Sequence, residues 1–135
     1  MNKDTMNLNP GVFFPWPDNK KGDTESGITV RQLSVRQRRE IDALTTEEEV
    51  KYIDGLVYTR KKITDEALRF RLIQDYCIVC WKGKRGPDGR EILCTTETKE
   101  MLMLDDPRMV QFVAECLMRV DEIRTERAEN AEKNS

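Results

Sequence analysis

The stretch Cys77-Ile-Val-Cys-Trp-Lys-Gly83 decides how this chain is read, because its two cysteines admit three roles. Thiols two residues apart can clamp zinc, form a redox pair, or pack as small apolar groups in a core. The chain contains no histidine. A zinc ion would have only Cys77, Cys80, Cys94, Cys116 and carboxylates to choose from. That is one close pair and two singles, whereas an all-cysteine structural site uses two close pairs. Upstream, Leu68, Leu72, Ile73, Tyr76, Cys77, Val79 and Cys80 recur at helical intervals. This phase predicts one helix from a Thr64 cap, with Asp65 and Glu66 in its first turn, through Trp81 to a stop at Gly83. Both cysteines then lie at the carbonyl end of an apolar stripe, where thiolate is disfavoured, and core packing is the preferred role.

Downstream, "GPDG" at Gly86 to Gly89 is a turn, and it sits among Lys82, Lys84, Arg85 and Arg90 as a solvated basic loop. Thr95 caps a short helix containing Met101, Leu102 and Leu104. Asp106-Pro107 starts the last helix, predicted to run to about Arg127 and to bury Val110, Val113, Leu117 and Val120. Toward the N-terminus, "GITVRQL" at Gly27 to Leu33 alternates as a half-buried strand with Ile28 and Val30 inward. Ser34 with Gln37 has capping-box spacing and predicts a helix over Val35 to Leu44, burying Val35, Ile41 and Leu44. Thr45 or Thr46 followed by Glu47 to Glu49 predicts a second helix carrying Val50, Ile53 and Leu56 or Val57 inward.

Residues 1–26 read as an extended arm, since Pro15 and Pro17 around Trp16 exclude helix and central strand. Phe13, Phe14 and Trp16 on that arm dock either on this domain or on a neighbour. Residues 27–126 form a single domain, and 127–135 a frayed polar tail. The expected fold is therefore mainly α: a small helical domain with a short N-terminal β element and an extended N-terminal arm.

With 38% hydrophobic and 36% charged residues and a net charge of −2, the 135-residue chain offers no general attraction to nucleic acid or anionic lipid. It has no segment near the ~20 apolar residues of a membrane span and no signal pattern, so a cytosolic protein is expected. Glycine-rich phosphate loops, GxSxG elbows, HExxH and EF-hand loops are missing, so a binding protein is expected rather than an enzyme. A helix-turn-helix in "LSVRQRREIDALTTEEEVKYI" is the alternative. Its arginines fall on the first helix, while Glu47 to Glu49 would open the reading helix and repel phosphate.

The succession "GITVRQLSVRQRREI", "CIVCWKG", the "PDG" turn, "CTTETKEML" and "DDPRMVQFVAECL" resembles the tail assembly chaperones of long-tailed, siphovirus-type bacteriophages and prophages over residues 27–120. The shared pattern is Leu-Ser/Thr-x-x-x-Arg near the first helix and Trp-x-Gly before an Asp-Gly turn. The basic loop from Lys82 to Arg90 departs from it, where a more acidic connection is expected. The resemblance implies a non-enzymatic, self-associating homo-oligomer in the cytoplasm of the bacterial host. Such proteins hold the long helical tape measure protein before the tail tube polymerises, and they are absent from the mature virion. A frameshifted longer form, thought to recruit the tail tube protein, is also implied, and Glu132-Lys133-Asn134 is compatible with a slippery adenine-rich run. No cofactor, catalytic or metal residue carries over. Phe13, Phe14, Trp16, Trp81, Met109 and Phe112 are the candidate contacts for partner or self-association.

Overall fold

The computed structural model describes residues 8–133; residues 1–7 of the expected arm and 134–135 of the expected tail lie outside them. In chain order the elements are β1 (Val12–Pro15), β2 (Gly27–Val30), α1 (Val35–Thr45), β3 (Thr46–Ile53), β4 (Leu56–Ile63), α2 (Glu66–Cys77), β5 (Ile78–Lys82), α3 (Thr96–Asp105) and α4 (Pro107–Lys133). Among the described residues helix accounts for 48% and strand for 25%, which corrects the mainly α expectation to a mixed α/β fold.

The first correction lies in the opening stretch. The α2 helix stops at Cys77, and Ile78–Lys82 continues without a break as β5, antiparallel to β2. Ile78, Val79 and Trp81 prefer a pleated surface, and the sheet edge offered by β2 outweighs the helical phase that precedes them. Strand order is β1-β2-β5, all antiparallel. β1 is an edge strand, where Pro15, which has no amide to donate, is tolerated. Ile28 and Val30 on β2 are fully buried, as their alternation predicts. Gly27 permits a close approach: a Cβ there would run into the Phe14 carbonyl oxygen and stand 2.6 Å from Phe13 Cζ.

One face of this sheet and the helices beyond it share a core of Trp16, Ile28, Val30, Ile78, Trp81, Leu102, Met109, Val113, Cys116 and Val120. The buried stripe of α4 is Met109, Val113, Cys116 and Val120, one position out of phase with the expected Val110 and Leu117. Apolar residues surround the first half of α4, so periodicity alone does not choose the face. The helix starts follow the capping chemistry. Ser34 Oγ accepts from the Gln37 amide at 3.0 Å. Thr95 and Thr98 form a reciprocal box, and Asp106 Oδ1 accepts from the Arg108 amide at 3.0 Å. For α2 the cap is Asp65 rather than Thr64. In α1 only Ile41 and Thr45 are buried, while Val35 and Leu44 face solvent.

The second correction is larger. The span from Thr46 to Leu56 or Val57, expected as a helix, belongs instead to the hairpin β3–β4, which is paired from Thr46↔Ile63 to Ile53↔Leu56. Its turn is Asp54-Gly55, with φ of 51° and 78°. Two left-handed residues make the tight turn whose twist matches a hairpin, and Asp-Gly is among the pairs that adopt it most readily. The segment offered as the reading helix of a helix-turn-helix is therefore a strand.

Candidate binding surface

The β3–β4 hairpin forms a separate two-stranded sheet. Eight residues per strand make it roughly 27 Å long at the usual rise. All eight residues of β4 are exposed. Residues paired across antiparallel strands share a face. One face carries Val50, Tyr52, Val57 and Thr59, and the other carries Lys51, Ile53, Leu56 and Tyr58. Tyr52 is 76% exposed and Leu56 70%, so six large apolar side chains stand in solvent around the tip. Toward the base, Glu47, Glu48 and Glu49 pair in register with Lys62, Lys61 and Arg60. Opposite charges across a ladder favour this register. Glu49 ion-pairs with Lys51 at 3.0 Å and Arg60 at 3.2 Å, which holds its carboxyl below the usual range.

The base is tied to the domain. β3 follows α1 without an intervening residue, and the Thr64 amide donates to the Thr45 carbonyl at 2.8 Å. Asp42 of α1 accepts from Arg69 of α2 at 2.7 Å and from Lys61 of β4 at 3.1 Å. Arg69, then Lys61, lower its pKa. Arg69 also donates to Thr45 Oγ1 at 3.1 Å, so helix, strand and helix meet at one carboxylate and one guanidinium.

The candidates named from sequence are distributed differently. Trp16 is buried, its indole donating to the Lys82 carbonyl at 2.7 Å and its ring 5.7 Å from that of Phe112. Trp81 and Met109 are core residues, and the Trp81 indole donates to the Ile92 carbonyl at 2.8 Å. Phe14 and Phe112 pack half-buried against that core. Of the six, only Phe13 is exposed, and its ring lies against Gly27. The docked side chains of the arm thus fasten onto this domain's own core. Tyr52, Leu56 and Val57 were missed as exposed groups, and the signal that finds them is Asp54-Gly55 between two β-branched and aromatic runs.

The cysteines do not act as a unit. Cys77 and Cys116 are buried, Cys94 is half-buried and Cys80 is exposed. Burial pushes the Cys77 and Cys94 thiols up and Cys116 to about 11. Among the described residues no three Cys, Asp or Glu converge on a point that could hold a metal ion. A polar cleft beside Trp16 is lined by Asp18, Lys20, Asp23, Lys84 and Arg85, whose alternating signs select no ion. No helix among the described residues is long and apolar enough to cross a membrane. No family model matches the chain, and no curated protein or solved structure shows significant similarity to it.

Proposed function

We propose that the protein is a non-enzymatic tail assembly chaperone, acting in the cytoplasm of the bacterial host on the tape measure protein of a long-tailed phage or prophage. The observation that carries this reading is the hairpin: six large apolar side chains held in solvent on an arm fixed at its base. Exposed apolar groups clustered on both faces of one element mark an interaction surface. A partner with an apolar helical stripe aggregates unless that stripe is covered, and a two-faced ribbon can cover it. Many copies along one long partner make weak single contacts sufficient. The sequence resemblance supplies the identity of the partner and the place of a longer, tail-tube-recruiting form.

The test is co-expression with the tape measure protein from the same gene cluster. The chaperone keeps that partner soluble and co-purifies with it. A partner that stays insoluble with this protein in excess, and that a pull-down does not recover, contradicts the assignment. The helix-turn-helix alternative has no observation in its favour, because the span assigned to its second helix is β3.

A further inference from the structure

We infer that the free edge of β4 is a self-pairing surface: two copies of this chain join antiparallel about Thr59, making one four-stranded sheet in the order β3-β4-β4-β3. In a hairpin closed by a two-residue turn, the residues flanking the turn exchange hydrogen bonds and the ladder then alternates. Ile53/Leu56 is that pair here. The Thr64 to Thr45 hydrogen bond at 2.8 Å continues the same alternation past the base. Val57, Thr59, Lys61 and Ile63 therefore turn their amides and carbonyls outward from β4. Every residue of that strand is exposed, whereas Thr46, Glu49 and Lys51 of β3 are partly covered.

Charge narrows the register. Along β4 an apolar half, Leu56-Val57-Tyr58, is separated from a cationic half, Arg60-Lys61-Lys62, by Thr59. Lysine on an edge ordinarily blocks edge pairing, because like charges meet. A two-fold axis at Thr59 avoids this. Arg60 then lies beside Tyr58 of the second copy on one face, a cation–π arrangement, and Lys61 beside Val57 on the other. Axes at Arg60 or Lys61 would set identical cations opposite each other. Head-to-tail pairing of β4 with β3 of another copy would place two domains on the same side, about 10 Å apart. A domain of about 100 residues has a radius of gyration near 13 Å, so the two would overlap. The inverted pairing puts the domains at opposite ends and closes as a dimer.

The dimer presents twice the apolar ribbon to a partner; in this it deepens the chaperone reading and rests on it for its purpose. Its test needs no tape measure protein, so the two can fail separately. Sedimentation over a concentration series is expected to show the mass rising from 15.8 kDa to twice that value. Thr59→Pro removes the outward amide at the axis and spares the inward ladder, so it is expected to abolish the dimer. In a Cys80→Ser background, Thr59→Cys is expected to crosslink with a short bismaleimide, and Lys62→Cys is not. A chain monomeric at every concentration, open-ended oligomers, or a dimer that survives Thr59→Pro while Thr59→Cys fails to crosslink would each overturn the inference. So would amides of Val57, Thr59 and Lys61 that exchange freely in concentrated protein and are protected only by added tape measure protein.

Discussion

Asp42 Oδ1 lies 2.7 Å from Arg69 Nη1, and this contact joins α1 to α2 where the hairpin leaves the domain. Because Lys61 reaches the other oxygen of the same carboxylate at 3.1 Å, the orientation of the hairpin depends on the charge of Asp42. The folded pKa is depressed, by Arg69 first and Lys61 second. An unfolded aspartate titrates near 3.9. The contribution is therefore present above that pH and is lost as pH falls through the lower folded value. Protection of the Thr46–Ile63 amides, taken relative to their intrinsic exchange at each pH, is expected to fall below pH ~4 and, at neutral pH, in Asp42→Asn. Equal exchange in Asp42→Asn and the parent at pH 7 contradicts the anchoring role.

Gly55 carries a backbone cost that can be measured in isolation. Its φ is 78° and a Cβ there would meet nothing within 4 Å. Gly55→Ala is expected to destabilise the hairpin by about 1 kcal/mol through conformation alone. Asp54→Asn is expected to be neutral, since asparagine tolerates the same region. Hairpin amide exchange with a global melt as control reads both.

Trp16 and Phe13 stand three residues apart and differ in what they hold. Trp16→Ala removes a buried ring and the hydrogen bond to the Lys82 carbonyl, and a loss of about 3–5 kcal/mol is expected. Phe13→Ala touches a half-exposed ring, and the expected loss is below about 1 kcal/mol, as for a surface position. Chemical denaturation of both variants checks this. Equal losses would mean that the segment docks as one unit rather than through its tryptophan.

Thiol alkylation separates the cysteines. Cys80, exposed on β5, is expected to react first, and Cys77 and Cys116 only on unfolding, because both are buried and burial raises their pKa, Cys116 to about 11. Mass-resolved labelling at pH 8 reads the order. Early labelling of Cys116 contradicts the packing of α4.

The caps at Ser34 and Thr95, the Gly86 to Gly89 turn and the β2 alternation of Ile28 and Val30 were legible because each depends on a few neighbouring residues, whereas the α2 cap lies at Asp65, one residue past the expected Thr64. The hairpin was not read, although Asp54-Gly55 announces it. Val50, Ile53 and Leu56 or Val57 also fit a helical period, and the acids at Glu47 to Glu49 imitate a helix start. Their real partners, Arg60 to Lys62, lie across a turn, where spacing within one segment does not reach. β5 failed for a related reason, since no Gly or Pro separates Cys77 from Ile78 and only the neighbouring β2 makes it a strand. With those two strands misplaced, the candidate contacts fell on Trp16, Trp81 and Met109, which the core takes, and on Phe14 and Phe112, which pack against it. Tertiary pairing overrides local phase at both places.

A side-by-side pull-down of the tape measure protein measures whether the exposed hairpin tip grips it, as proposed. The bait is either the parent chain or the triple variant Tyr52→Ser, Leu56→Ser, Val57→Ser, whose positions are exposed and whose melting should match the parent. If the tip is the contact, recovery is lower by at least ~10-fold for the variant, equivalent to about 1.4 kcal/mol of contact energy, and parent binding survives moderate salt. Equal recovery of the tape measure protein by both baits would contradict it.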